Sequence, residues 1–505
     1  MSPKLTSIEN RKIPPLRLFG DEERERDPDN HQESGTGDTM RSNKMPNPGM
    51  EEPEEPGVSF MPRLTPTPTK ASHTRAETRP ETRGEAALGN QVSKKAAPGS
   101  EDFSRALWRL QRTMWRITDF KRLAGCHRWL RGGVSRADVQ WSPGKAKWGG
   151  LQTSSSVWAS PVSAVRIAKL RADEVSGAVQ EWKKQGQDHS VEFLTLTLRH
   201  SKDQSLKEVW DMISYAWKSI TQTASWRGGA RMVGDQQRFG IKHWLKSVEV
   251  TVGDNGWHVH VHVLLFTQKN LSDDEREAME NRLFERWKNA AIRKGFKAPS
   301  RKNGIKIEEA VKNGDVHAMG AYIAKGAVAS IGHEIASGGV KTARGASRTP
   351  FQILGDIATA EKGSDEYNRD FALWREWEKE SLGRRQMAWS KGAKDALGVN
   401  DLDDEKLLEE NDELVDPFSV GQVAAENWNA PVPGTDTRLS DSVDVRREIL
   451  DYVKPASDPD DAAKRFSYIA EKFLIAHTAD VVEIKKKKKG PPPVATDQAR
   501  AVLDP

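Results

Sequence analysis

Trp257-His258-Val259-His260-Val261-His262-Val263-Leu264-Leu265 alternates imidazole and aliphatic side chains before ending in an apolar run. In a strand, residues two apart share a face, so His258, His260 and His262 project one way while the valines turn into a core. One histidine would mark no more than a half-exposed strand; three on one face are costly to bury. Just upstream, Gly253-Asp254-Asn255-Gly256 is a hairpin signal that pairs residues 244–252 with residues 257–266. With Asn255-Gly256 as a two-residue turn, Glu249 falls opposite His262 and Thr251 opposite His260, which brings the Glu249 carboxylate to the histidine face. A slip of one residue would turn it away. Two imidazoles and a carboxylate with open positions can hold a divalent cation that polarises a phosphate oxygen. His260 and His262, deepest from the turn, are the first ligands, with Glu249 the third.

Further elements follow outward from this hairpin. Residues 191–198 (VEFLTLTL) alternate as a strand. Ser205 and Glu208 form a capping-box pattern, and Leu206, Val209, Trp210, Ile213, Trp217 and Ile220 then recur at helical spacing. Ser272 and Glu275 open a second helix through Met279, Leu283 and Trp287, with Gly295 as its stop. Residues 304–309 read as a short strand and 315–329 as a third helix. The order βαββαβα predicts an α+β fold: a ferredoxin-like antiparallel sheet core with helices on one face.

The chain has 505 residues, 36% hydrophobic and 30% charged, with one cysteine. Cys126 alone excludes a disulfide framework and a cysteine-only zinc module. Residues 1–100 are polar, with seven prolines between Pro46 and Pro68, and are expected to be disordered because they cannot bury enough apolar area to offset their ordering entropy. Lys485 to Lys489 open a basic tail of the same kind. No stretch of about 20 apolar residues occurs, so a soluble, cytoplasmic protein with no membrane partner is expected. Net charge is +5, unevenly spread: residues 101–150 carry a local +7, and residues 401–416 a local −8. A basic surface for phosphate and a separate acidic connector follow from that split. The 17 Trp outnumber 14 Phe and 5 Tyr; some could stack on bases, but most belong to ordinary packing. The expected domains are a disordered region 1–100, a basic segment 101–185, a core domain 186–400, and a 401–505 region of acidic linker, helix and Lys-rich tail. Phe466, Ile469, Ala470, Phe473 and Leu474 place the helix in that last region, where it could serve a partner.

In Ala318-Met319-Gly320-Ala321-Tyr322-Ile323-Ala324-Lys325, Tyr322 and Lys325 are neighbours at i,i+3 on a helix. An ammonium beside the phenol and a phosphate favours the phenolate, and a Tyr so placed can act as a nucleophile. With Phe193-Leu194-Thr195-Leu196-Thr197, the histidine strand and Tyr322-x-x-Lys325 in that order, the chain resembles the HUH endonucleases. It is most similar to the single-tyrosine rolling-circle plasmid replication initiators of an actinobacterial type, over roughly residues 150–400. Arg348-Thr349-Pro350-Phe351, and Trp389-Ser390-Lys391-Gly392 after Gly383-Arg384-Arg385, extend the match. The resemblance implies that Tyr322 attacks one phosphodiester of single-stranded or cruciform plasmid origin DNA, forming a 5′-phosphotyrosine. It implies Mg²⁺ or Mn²⁺ on His260, His262 and Glu249, with Lys325 assisting at the phosphate and His258 orienting a neighbour or touching DNA. No G-x-x-x-x-G-K-[ST] pattern occurs, so strand separation falls to a host helicase, and a host DNA polymerase extends the free 3′-OH.

Two departures from that pattern stand out. Ser154, Ser160 and Ser163 stand where such relatives carry the cysteines of a zinc knuckle; hydroxyls are poor zinc ligands, and Cys126-His127 cannot make four, so a metal-free module is expected. Where some relatives place a Glu four residues before the Tyr to activate water, this chain has Ala318, which leaves Asp315 or Glu334 as other bases. Competing readings are a mobilisation relaxase, in which the Tyr precedes the histidines rather than following them by 60 residues; a single-Tyr transposase, typically far shorter; and a non-enzymatic DNA-binding regulator holding structural zinc.

Overall fold

The structure, a computed structural model, describes residues 101–154, 156–311, 316–324, 347–411 and 414–484. The tails expected to be disordered, and Asp315, Lys325 and Glu334, lie outside the described residues. The strands are β1 Arg136–Ser142, β2 Lys145–Gly149, β3 Ser190–Thr197, β4 Ile241–Gly253, β5 Gly256–Thr267, β6 Ile305–Glu309, β7 Met387–Trp389, β8 Phe418–Ala424 and β9 Val482–Glu483. The longer helices are α1 Glu101–Ile117, α2 Pro161–Lys184, α3 Leu206–Thr221, α4 Asp273–Arg293, α5 Val316–Ala324, α6 Pro350–Thr359, α7 Asp365–Glu380, α8 Val443–Val453 and α9 Pro459–Lys472.

These elements make a mixed α and β fold with two antiparallel sheets, ordered β6-β3-β5-β4-β7 and β2-β1-β8-β9. The run β3-α3-β4-β5-α4-β6-α5 follows the expected βαββαβα order. Local chemistry explains the boundaries. At the start of α3, Ser205 Oγ accepts from the Glu208 amide and the Glu208 carboxylate accepts from the Ser205 amide; Ser272 and Glu275 repeat the exchange at α4. Each such cap stabilises its helix by about 1 kcal/mol. Gly295, at φ +78°, supplies the left-handed residue that ends α4.

Val259, Val261 and Val263 of β5 and Val248, Val250 and Val252 of β4 pack with the buried residues of α3 and α4. The expectation of helices on one face only needs correction. On the histidine face, β5 continues as Leu264 and Phe266, and these join Leu245 of β4, Ala178 and Trp182 of α2 and Ile323 of α5 in a second core. A strand that turns apolar on both faces must be covered on both, and α2 and α5 supply that cover.

The hairpin register also differs from the expected one. Gly253 pairs with Gly256, so the turn residues are Asp254 and Asn255, and the positive φ of +83° falls on Gly256. Glu249 therefore lies opposite His260, and Thr251 opposite His258. The slip is two residues; because side chains repeat every two, every face assignment survives.

The second sheet joins distant stretches of chain. β1, from the basic stretch, pairs with β8, which follows the acidic run. Val139, Trp141, Val420, Trp428, Ile449 and Phe466 share its core. Phe466 lies against Gly421, where a Cβ would come within 1.9 Å of the ring. The apolar face of α9 is thus filled from within the chain. The helix stops at Lys472, and Leu474, at φ +53° and 74% exposed, is not part of its face. Part of the acidic run meets the chain's own arginines, Asp404 on Arg171 at 2.7 Å and Glu405 on Arg122 at 2.8 Å. Twelve of the 17 Trp are buried, which assigns most of them to packing. Among the described residues no helix is long and apolar enough to cross a membrane.

Candidate functional site

The strand alternation of β5 puts His258, His260 and His262 on the face opposite the valines, and the flanking strands fill in around them. From β3, Thr197 lies opposite His260 and Thr195 opposite His262; from β4, Glu249 lies opposite His260 and Ser247 opposite His262. Thr195 Oγ1 is 3.3 Å from His262 Nδ1, and Thr197 Oγ1 is 3.2 Å from His260 Nδ1. Each hydroxyl holds one ring nitrogen and so fixes where the other points. The Glu249 carboxylate reaches diagonally to His262, its Oε2 3.0 Å from Nε2. Phe193 stacks on the His262 ring at 5.4 Å between centroids and forms a floor.

Behind this pair the imidazoles continue in file. Ring centroids are 6.1 Å apart between His262 and His260, 3.9 Å between His260 and His258, and 4.6 Å between His258 and His200. His200 Nδ1 hydrogen-bonds the Asn255 carbonyl oxygen at 2.9 Å, tying the end of β3 to the hairpin turn. Burial, and then the neighbouring His260 and His200, push the His258 pKa down to about 3. Burial also lowers that of His260, against the opposing pull of Glu249. Neutral imidazoles with one nitrogen anchored are the form in which histidine offers a lone pair to a cation. Among the described residues no three His, Cys, Asp or Glu groups are arranged to hold a metal ion. The donor types named from the sequence nevertheless lie together on this face, with Glu249 Oε2 3.0 Å from His262 Nε2 and the His260 and His262 rings 6.1 Å apart.

Tyr322 lies on α5; its side chain and that of Ala318 are outside what the structure describes, and Lys325 lies beyond the described residues. The backbone of α5 is contacted from two sides. Ser247 Oγ donates to the Ile323 carbonyl at 2.9 Å, and Ile323 is buried. On the other side Gly320 faces α2 so closely that a Cβ would lie 2.2 Å from Ser176 Oγ and 2.5 Å from the Ala172 carbonyl oxygen. The backbone carrying Tyr322 is therefore wedged between α2 and the histidine face, level with His262.

Among known proteins the chain is 27% identical over 307 residues to Protein rep of Streptomyces lividans, an alignment covering 51% of this chain and 66% of that protein. It resembles a Rep protein. A second relative, the Neomycin resistance protein of Streptomyces cyanogenus, is 26% identical over 135 residues, 23% of this chain and 30% of the relative. The chain thus spans less than two thirds of the length of either relative. No protein-family model matches the chain, and no solved structure matches it.

In this Rep-like chain, Arg348-Thr349-Pro350-Phe351 serves the scaffold. Arg348 bonds Asp370 at 2.9 and 2.8 Å and pairs its backbone with Val252, while Thr349 caps α6. Sequence reasoning took Thr195, Thr197 and His200 only as parts of matching stretches and gave none of them a role in the site, although the period-two pattern of residues 191–198 already put both threonines on one strand face. It also kept Cys126-His127 apart from the serines, and the fold brings them together. Cys126 Sγ lies 3.5 Å from Ser160 Oγ and 3.8 Å from Ser163 Oγ, and His127 Nε2 lies 3.3 Å from Ser163 Oγ. Burial raises the Cys126 pKa and lowers that of His127 to about 3, so this cluster holds a neutral thiol and a neutral imidazole among hydroxyls.

Proposed function

We propose that the chain is a plasmid rolling-circle replication initiator of the HUH type, which nicks origin DNA and stays joined to it through Tyr322. The observation that carries the reading is the pair His260 and His262, each with Nδ1 against a threonine and with Glu249 alongside, on the sheet face to which Ser247 ties the Tyr322 helix. In this reading the Tyr322 phenol gives up its proton and its oxygen bonds the phosphorus. The P–O3′ bond breaks, and the departing 3′-oxygen takes up a proton. One phosphoester replaces another, so no nucleotide is hydrolysed. Lys325, three residues on, favours the phenolate. His260, His262 and Glu249 would hold Mg²⁺ or Mn²⁺, which when bound polarises a phosphate oxygen. Strand separation and extension of the free 3′-OH fall to a host helicase and polymerase.

The test is incubation of the full chain with Mn²⁺ and single-stranded origin oligonucleotides, followed by mapping of the covalent adduct. The reading expects an adduct on Tyr322 that Tyr322→Phe abolishes while DNA binding persists. An adduct surviving in that variant would move the nucleophile to Tyr215, Tyr367, Tyr452 or Tyr468. No adduct with any origin strand would leave a non-enzymatic DNA-binding role.

A further inference from the structure

A cavity of about 560 Å³ opens along β7, the edge strand of the five-stranded sheet. Its position relative to the histidines follows from register. Thr195, His262, Ser247 and Met387 form one row across β3, β5, β4 and β7. At about 4.8 Å per strand, Met387 lies roughly 10 Å from His262 along that row. Met387 and Trp389 pack with Leu245, Leu264 and Phe266, so they lie on the histidine side of the sheet. Arg385 and Lys391 flank the strand, each two residues from its end, and both line the cavity.

The charges around this cavity are unevenly committed. Lys394 bonds Asp401 at 2.8 Å, Arg171 bonds Asp404 at 2.7 Å, and Asp403 accepts from the Lys406 amide as a helix cap. Asp395 stands exposed on the wall. Arg385 and Lys391 are exposed and make no hydrogen bond or close ion pair with any described residue, although the Arg385 charge acts at a distance on Asp401, after that of Lys394. With the other two cations tied to carboxylates, these two are the groups left to receive an anion. Three residues of edge strand are too few to template an added peptide strand, which disfavours a protein partner along β7.

Resting on the replication-initiator reading, we infer that this cavity is the subsite for the single DNA strand next to the scissile phosphate. Arg385 and Lys391 clasp its phosphates, and the exposed part of Trp389 offers a wall to a base. The stretch Gly383-Arg384-Arg385 to Trp389-Ser390-Lys391 thereby acquires a task that nicking chemistry alone does not give it.

The test measures binding of the full chain to a fluorescein-labelled single-stranded origin oligonucleotide over a range of KCl, without divalent cation, with nicking of the same strand in Mn²⁺ as the parallel readout. Each phosphate contact on a single strand contributes about 0.7 to the slope of log affinity against log salt. Arg385→Ala with Lys391→Ala should therefore flatten the slope by about 1.4 and weaken binding roughly tenfold at low salt, with an unchanged unfolding midpoint. Arg385→Lys with Lys391→Arg should restore the slope, which a merely structural role would not do. If the unfolding midpoint falls in the alanine variant, Arg385→Gln with Lys391→Gln carries the same expectation. An unchanged slope in a chain that still nicks would overturn the subsite and leave the initiator reading standing. An equal loss on duplex of the same sequence would make these residues a general anionic-surface contact and would also overturn it. Failure of the unaltered chain to nick any origin strand would remove the initiator reading, and the subsite with it.

Discussion

Ser247 and Ile323 join two parts of the candidate site that lie far apart in sequence: the Ser247 hydroxyl, opposite His262, donates at 2.9 Å to the carbonyl of the residue that follows Tyr322. Both partners are buried, at 2% exposure each. Ser247→Ala leaves that carbonyl without its donor, at a cost of about 1–3 kcal/mol. Adduct yield should fall while affinity for single-stranded DNA holds. Gly320→Ala should act in the same direction from the α2 side, since its Cβ has no room beside Ser176 and Ala172. Single-turnover adduct formation at matched DNA saturation checks both, and wild-type yield in both variants would show that the position of α5 does not limit the chemistry.

Thr195→Val and Thr197→Val keep side-chain shape and remove the hydroxyls that anchor His262 and His260. Loss of such an outer partner typically weakens a metal site 10–100-fold. Calorimetric titration with Mn²⁺ should show a drop of roughly that size in each variant, with a larger loss in Glu249→Ala. Equal Mn²⁺ affinity in all of them would place the cation elsewhere.

His127 gives the fold a pH dependence. Its ring packs on Trp108 and bonds Ser163; the residue as a whole keeps some exposure, but the ring is enclosed and its pKa falls to about 3. A histidine held neutral in the folded chain contributes stability that is complete above its unfolded value of about 6.5 and is lost as pH falls toward 3, at no more than ~1.4 kcal/mol per unit. His127 sits at φ +56°, a conformation that asparagine tolerates. His127→Asn should therefore flatten the decline of the unfolding midpoint between pH 7 and pH 5. Parallel curves for the two proteins would show that other groups set the acid sensitivity.

Ala318 stands one helical turn before Tyr322 on α5. If no carboxylate stands there to activate water, the phosphotyrosine adduct should be long-lived. Ala318→Glu should speed its hydrolytic release, with at most a modest loss in the first nick as the new charge competes for Lys325. Decay of isolated adduct in the two proteins measures this, and equal decay rates would point to another base.

The α+β order and the histidine face were legible because each rests on local rules. Ser205-x-x-Glu208 and Ser272-x-x-Glu275 close their helix caps with atoms three residues apart, and His258, His260 and His262 share a face by strand geometry alone. Glu249 was assigned to that face correctly in spite of a wrong turn, because a slip of two preserves the face. The exact opposite number was not legible: whether the turn residues are Asn255-Gly256 or Asp254-Asn255 depends on which position takes the positive φ, and Gly256 lies tightly against Lys202, a contact outside the hairpin.

The sequence by itself determined the seven elements from β3 to α5, their order and the chemical types gathered on β5, since those follow from spacing within a few residues. Only the tertiary structure decided that α2 and α5 cover part of the histidine face, that β1 pairs with β8 across almost 300 residues of chain, and that Cys126 meets Ser160 and Ser163. These are contacts between segments whose separation in sequence carries no periodic signal. They are fixed by which apolar surfaces remain to be buried once each element has formed, as Leu264 and Phe266 call for a cover that no pattern within β5 could name.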